Sequence, residues 1–116
     1  MYPIKLLTIP IEKKDLEIFK ANPFDSMIKY VVDIHNGSLA LGGEMHSDAE
    51  KILLENGSIQ ENIWGANIYP WEETVEIEYT SLINIRPTSG NRSMEIQDET
   101  IREKVKKITF EWMQIL

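Results

Sequence analysis

The run from Met27 to Met45 restricts this chain more than any other stretch, because it alternates residue by residue on both sides of Asn36-Gly37. Ile28, Tyr30, Val32 and Ile34 interleave with Lys29, Val31, Asp33 and His35, and Leu39, Leu41, Gly43 and Met45 take up the alternation beyond the turn pair. A period of two belongs to strands with one face buried. Asn-Gly suits a type I′ hairpin turn, in which both central residues have positive φ. A two-residue loop at Asn36-Gly37 sets the register. It places Ile34 opposite Leu39, Val32 opposite Leu41, Tyr30 opposite Gly43 and Ile28 opposite Met45 on the apolar face. On the other face it places Asp33 opposite Ala40 and Lys29 opposite Glu44.

The remaining elements assemble around this hairpin. Ile4 to Ile9 reads as a strand, and Glu12 to Lys20 as a short helix with Leu16 and Phe19 on one face. Asn22-Pro23 stops that helix, since a residue before proline avoids the α region. Ser47 to Glu50 has the form of a capping box, with a serine N-cap and a glutamate three residues on. The helix it opens runs through Ile52, Leu53 and Leu54 and closes at Asn56-Gly57. Ile63 to Tyr69 is a strand and Pro70 to Thr74 a turn. Val75, Ile77, Tyr79, Ser81, Ile83 and Ile85 alternate over a length unusual for one strand, so a bend, a bulge or a division into two strands is expected near Ser81. Pro87 to Ser93 is a loop. The last helix, from about Asp98 to Ile115, carries Ile101, Val105, Ile108, Trp112 and Ile115 on one stripe, with Thr100 to Glu103 as an alternative capping box. The predicted fold class is α+β: an antiparallel sheet of four to six strands with about three helices packed on it. A chain of 116 residues supports one hydrophobic core, hence a single domain over residues 1–116.

Charge narrows the partners. Six basic residues face nine acidic ones in residues 1–58 and six face ten in residues 59–116, for a net charge of −7. Nucleic-acid binding needs a basic cluster to neutralise phosphates, so no nucleic acid is expected as a partner. The absence of cysteine removes disulfides, thiolate metal sites and cysteine nucleophiles and fits a cytoplasmic protein. The apolar N-terminus is interrupted by Pro3, Lys5 and Pro10, unlike a signal peptide. No stretch approaches the roughly 18 apolar residues of a membrane span, so no membrane association is expected.

Three segments bear polar chemistry. In Gly42-Gly43-Glu44-Met45-His46-Ser47-Asp48, Glu44 and His46 stand two apart and would share a strand face. With Asp48 they suggest a hard-metal or acid–base site. Against this, Lys29 offers Glu44 a cross-strand partner, and Asp48 and Glu50 fall in a helical first turn that favours carboxylates. Neither a metal nor a cofactor is expected. In Ile85 to Ser93, Arg86 and Arg92 flank a glycine-containing polar loop. Such a loop presents backbone N–H groups to an anion, and arginine forks bind carboxylate or phosphate. The alternative is a structural loop whose arginines pair with acidic neighbours. In Ile63 to Pro70, Trp64 and Tyr69 read as core and rim. Asn67 and Asn84 are polar positions within apolar strands, suited either to tying strands together or to lining a pocket. His35 flanks the hairpin turn on the polar face, and no nucleophile elbow is present.

Gly43-Glu44-Met45-His46-Ser47-Asp48, Trp64-Gly65-Ala66-Asn67-Ile68-Tyr69-Pro70 and Ile83 to Ser93 together resemble a small prokaryotic domain-of-unknown-function family, over nearly the whole chain. The third motif is the most specific. The resemblance implies a stand-alone cytosolic protein and brings no activity with it.

The residues support three readings of function. The first is a binding module for an anionic ligand or a protein partner, in which Arg86, Asn91, Arg92 and Ser93 hold the anion. The second is a small hydrolase-like enzyme with Glu44 and His46 as acid and base. The third is a purely structural interaction protein. A homodimer is also expected through the C-terminal helix, where Phe110 and Met113 lie off the core stripe and suit an interface.

Overall fold

The computed structural model describes residues 2–21 and 26–114. The expected helix stop at Asn22-Pro23 and the last stripe residue, Ile115, lie outside the described residues. The elements are β1 (Ile4–Leu6), β2 (Ile11–Glu12), a 3-10 helix (Lys13–Ala21), β3 (Ile28–Asp33), β4 (Leu39–Gly42), α1 (His46–Glu55), β5 (Ile63–Tyr69), β6 (Glu76–Glu78), α2 (Glu99–Trp112) and β7 (Met113–Gln114). Five strands form an antiparallel sheet in the order β1-β4-β3-β5-β6, and β2 and β7 form a separate parallel pair. The class is α+β, as the alternation and the helical stripes predict.

Helices cover both sheet faces. On one, Tyr30, Val32, Leu39 and Leu41 join Leu16 and Phe19 of the 3-10 helix and Val105 and Ile108 of α2. On the other, Val31, Ala40 and Ile63 meet Ala49 and Leu53 of α1. The hairpin keeps its predicted faces, since Val31 and Val32 stand on opposite sides, but its register differs. Val32 pairs with Leu39 and Tyr30 with Leu41, two residues away from the type I′ expectation. The cause is Asp33. Its Oδ1 accepts from the N–H groups of His35 (2.8 Å) and Asn36 (3.1 Å), and its carbonyl accepts from Gly37 N–H. These bonds stabilise a wider turn. Gly37 alone has positive φ there, at 81°, and Asn36 does not, which excludes type I′. Lys29 consequently does not stand opposite Glu44; across its other neighbour, β5, it stands opposite Asn67.

Two further boundaries move. α1 opens at His46 with Met45 as N-cap, two residues earlier than Ser47 implies. Asp48 at N3 accepts the Met45 N–H at 3.0 Å, and Glu50 becomes a buried residue of the second turn. The Val75–Ile85 run breaks at Ser81, as its length requires. Its second half is a 3-10 turn at Leu82–Asn84 rather than a strand. α2 is capped by Asp98, whose Oδ1 accepts from the N–H groups of Thr100 and Ile101, so Thr100 does not cap. The buried side of α2 includes Thr109, whose Oγ1 meets the Tyr30 hydroxyl at 2.8 Å. Met113 is buried in β7. It is therefore not part of an exposed self-association surface, while Phe110 is half-buried.

Candidate functional site

α1 lies across the sheet with its N-terminus over β5, and this crossing builds a cleft of about 360 Å³. Gly65 makes the approach: a Cβ there would stand 2.7 Å from Ser81 Cβ and 3.1 Å from His46 Cδ2. Only a glycine lets the imidazole and Ser81 rest together on the strand. Antiparallel pairing then sets a polar row across the same face, with Lys29 of β3 opposite Asn67 of β5, and Asn67 opposite Glu78 of β6. Apolar walls rise around the row from Met27, Met45, Leu82, Ile83 and Met94.

The polar groups are held in definite states. His46 is 8% exposed, and its Nε2 lies 2.8 Å from the Ala66 carbonyl oxygen. A carbonyl only accepts, so Nε2 carries the proton and neutral imidazole leaves Nδ1 as a bare acceptor. Burial lowers the imidazole pKa and Lys29 adds to that. The Ala66 carbonyl, Asn67 and Glu78 oppose it without overcoming it. Asn67 is 5% exposed. Its Nδ2 donates to Glu78 Oε1 at 2.8 Å and towards the Thr80 carbonyl at 3.4 Å. Those acceptors fix the amide orientation, since a flipped amide would set oxygen against oxygen. Oδ1 is thereby turned to the His46 side, where a protonated imidazole would reach it; with the imidazole neutral it is buried and has no donor among the described residues.

Three of the residues expected to bind an anion, Arg86, Asn91 and Ser93, are engaged with main-chain groups. Arg86 Nε donates to the Ile83 carbonyl at 3.2 Å, one terminal nitrogen donates to the Glu61 carbonyl at 3.1 Å, and the other donates to the Ile63 carbonyl. The guanidinium also stacks on Trp64, 4.6 Å from the ring centroid. Asn91 Nδ2 donates to the carbonyls of Asn84, Ser93 and Glu95, and its Oδ1 accepts from Gln97 N–H. Ser93 Oγ accepts from Glu95 N–H, Gly90 N–H is bonded to the Pro87 carbonyl, and Arg92 is exposed. Arg86 borders a hollow separate from the His46 cleft, with Leu82 and Ile83 as the shared wall. Arg92 borders neither.

Residues 5–112 match the profile of DUF5674, described as a protein of unknown function. The chain belongs to the DUF5674 family. No curated protein and no solved structure matches it significantly. In this DUF5674 chain the structure separates the residues of the first motif. His46 turns into the cleft, whereas Glu44 is exposed beyond the end of β4, in a shallow hollow with Tyr2, Ile4 and Asp48. The two therefore form no acid–base pair, because the segment is a bend into a helix and not a strand. The two asparagines divide the roles expected of them. Asn84 ties strands, exchanging bonds of 2.9 Å with both the N–H and the carbonyl of Gly65, while Asn67 lines the cleft. Glu78, Thr80 and the methionines were not singled out by the sequence. For Glu78 the alternation of β6 is the available signal, and it needs the β5–β6 register to be read. Among the described residues no group of His, Asp and Glu side chains is arranged to hold a metal, and no helix is long and apolar enough to cross a membrane.

Proposed function

We propose that this protein is a cytoplasmic binding module whose cleft between the α1 N-terminus and the β5–β6 edge takes a small, largely apolar molecule. The observation that carries this reading is the composition of the cleft. Met27, Met45, Leu82, Ile83 and Met94 wall a floor of a few polar groups, the usual make-up of a small-molecule site. Met45 is 52% exposed and Leu82 64% exposed, more than folding alone explains for side chains grouped around one depression. Thioether side chains adapt their shape to a guest, and a volume near 360 Å³ suits a molecule at the small end of the ligand range. An anionic ligand at residues 86–93 has less support, because the Arg86 donors are engaged on main-chain carbonyls.

The test is a fragment screen followed by amide-resolved NMR titration. Binders should shift resonances of His46, Gly65, Asn67 and Ser81 together, and Met45→Glu, at an exposed rim position, should abolish binding while the spectrum remains that of a folded protein. Binders that shift only residues 86–93 would overturn the assignment in favour of the arginine loop.

A further inference from the structure

Resting on that reading, we propose that the polar group recognised in the cleft is a neutral carboxamide, primary or within a ring, carried on an apolar body. The cleft lining includes both acceptors and donors. Asn67 Oδ1 is buried and has no donor among the described residues, although Asn67 forms part of the cleft lining. A buried carbonyl oxygen left unpaired carries an uncompensated desolvation cost, so a guest that supplies an N–H gains what the protein alone forgoes. The Nε2–H bond to Ala66 leaves His46 Nδ1 as a second acceptor beside it.

The donors are those of the first turn of α1, where His46 and Ser47 border the cleft. The first N–H groups of a helix have no intrahelical acceptor and carry partial positive charge. An amide is matched to both, its N–H towards Asn67 and its carbonyl towards the helix terminus.

The charged alternatives each meet opposition. A carboxylate satisfies the helix terminus and is drawn to Lys29, but it brings further acceptors to Asn67 Oδ1 and stands near Glu78. An ammonium satisfies Asn67 and Glu78 but faces Lys29 and the positive end of α1. A neutral donor–acceptor group avoids both conflicts.

The experiment uses three probes with the same six-carbon skeleton: hexanamide, hexanoate and hexylamine. Each is titrated into the full chain and followed by amide NMR, including the Asn67 side-chain NH₂ signals. Hexanamide should bind at least tenfold more tightly than the other two and shift the Asn67 side chain, Gly65 and Ser47. Tighter binding of hexanoate or hexylamine at the same residues overturns the amide assignment and leaves the cleft reading standing. Equal affinities show recognition of the tail alone and also overturn it. If none of the probes moves a cleft resonance, the cleft reading falls and the amide assignment with it.

Discussion

The His46 imidazole rests on the backbone of Gly65, with Cδ2 only 3.1 Å from where a Cβ would stand. The same point is 2.7 Å from Ser81 Cβ, so strand β5, the start of α1 and the break after β6 converge on one residue without a side chain. Gly65→Ala should therefore push α1 and the Ser81 segment away from the sheet. Overpacking of this kind costs about 1–3 kcal/mol. Urea denaturation should show that loss, and NMR should show shifts around His46 and Ser81. A variant as stable as the parent, with an unchanged spectrum, would mean that the three segments do not converge as described.

The Ile83–Ser93 motif is a set of backbone fasteners, and its substitutions should reveal that. The Asn84 side chain is fully buried and bonds the N–H and carbonyl of Gly65 and the carbonyl of Met94. Asn84→Ala leaves those main-chain groups unpaired. The expected loss is about 3 kcal/mol or more, at the high end for one substitution. Asn91→Ala should behave similarly, since four main-chain groups depend on it. Arg92→Ala, at an exposed position, should stay within about 0.5 kcal/mol of the parent. Thermal or urea unfolding of the three variants decides the matter, and a costly Arg92→Ala beside a silent Asn91→Ala would reverse the assignment.

The turn after β3 offers a cleaner backbone test. Gly37 sits at φ 81° with open space around its Cα, so Gly37→Ala introduces conformational strain and no clash. A left-handed alanine costs roughly 1–2 kcal/mol, and Gly37→Asn should cost less because asparagine tolerates that region. If alanine and asparagine destabilise equally by equilibrium denaturation, the left-handed geometry is not the cause.

Faces were legible in the sequence, but partners were not. The alternation of residues 28–34 and 39–41 assigns Val31 and Val32 to opposite sides, and it does so under any register of the same parity. The register itself depended on whether Asn36-Gly37 or the Asp33 carboxylate would organise the turn. Asp33 prevails because its bonds to His35 and Asn36 need positive φ only at glycine. For the site, the sequence marked His46 and Asn67 individually. Their meeting requires the non-local pairing of β3 with β5 and of β5 with β6, which no local pattern encodes. Arg86 shows the converse. Its composition suggested anion binding, yet two of its three acceptors are carbonyls of residues 61 and 63, more than twenty positions away in the chain.

His46 should leave a signature in the pH dependence of stability. Its burial, with the nearby Lys29 adding to it, keeps the folded imidazole neutral, with a pKa below the ordinary 6.5, against the opposing pull of its bond to the Ala66 carbonyl. Above about pH 7 the folded and unfolded states are both unprotonated at this residue, and it contributes no pH dependence. As the pH falls through 6.5 the unfolded chain takes up a proton that the native state still refuses. Stability then declines, with a slope of at most about 1.4 kcal/mol per pH unit for one proton. The decline ends once the pH drops below the folded pKa. Carboxylates add their own slopes at lower pH, so the comparison is with His46→Gln, whose amide retains a donor for the Ala66 carbonyl and does not titrate. Urea denaturation of both proteins between pH 5 and 8 isolates the His46 contribution as their difference. That difference should be constant above about pH 7 and should shift against the parent protein as the pH falls below 6.5. A difference that shifts in favour of the parent on acidification would mean that the folded site prefers imidazolium. Asn67 Oδ1 would then have its donor in His46 itself, and the cleft floor would have no acceptor left for a guest.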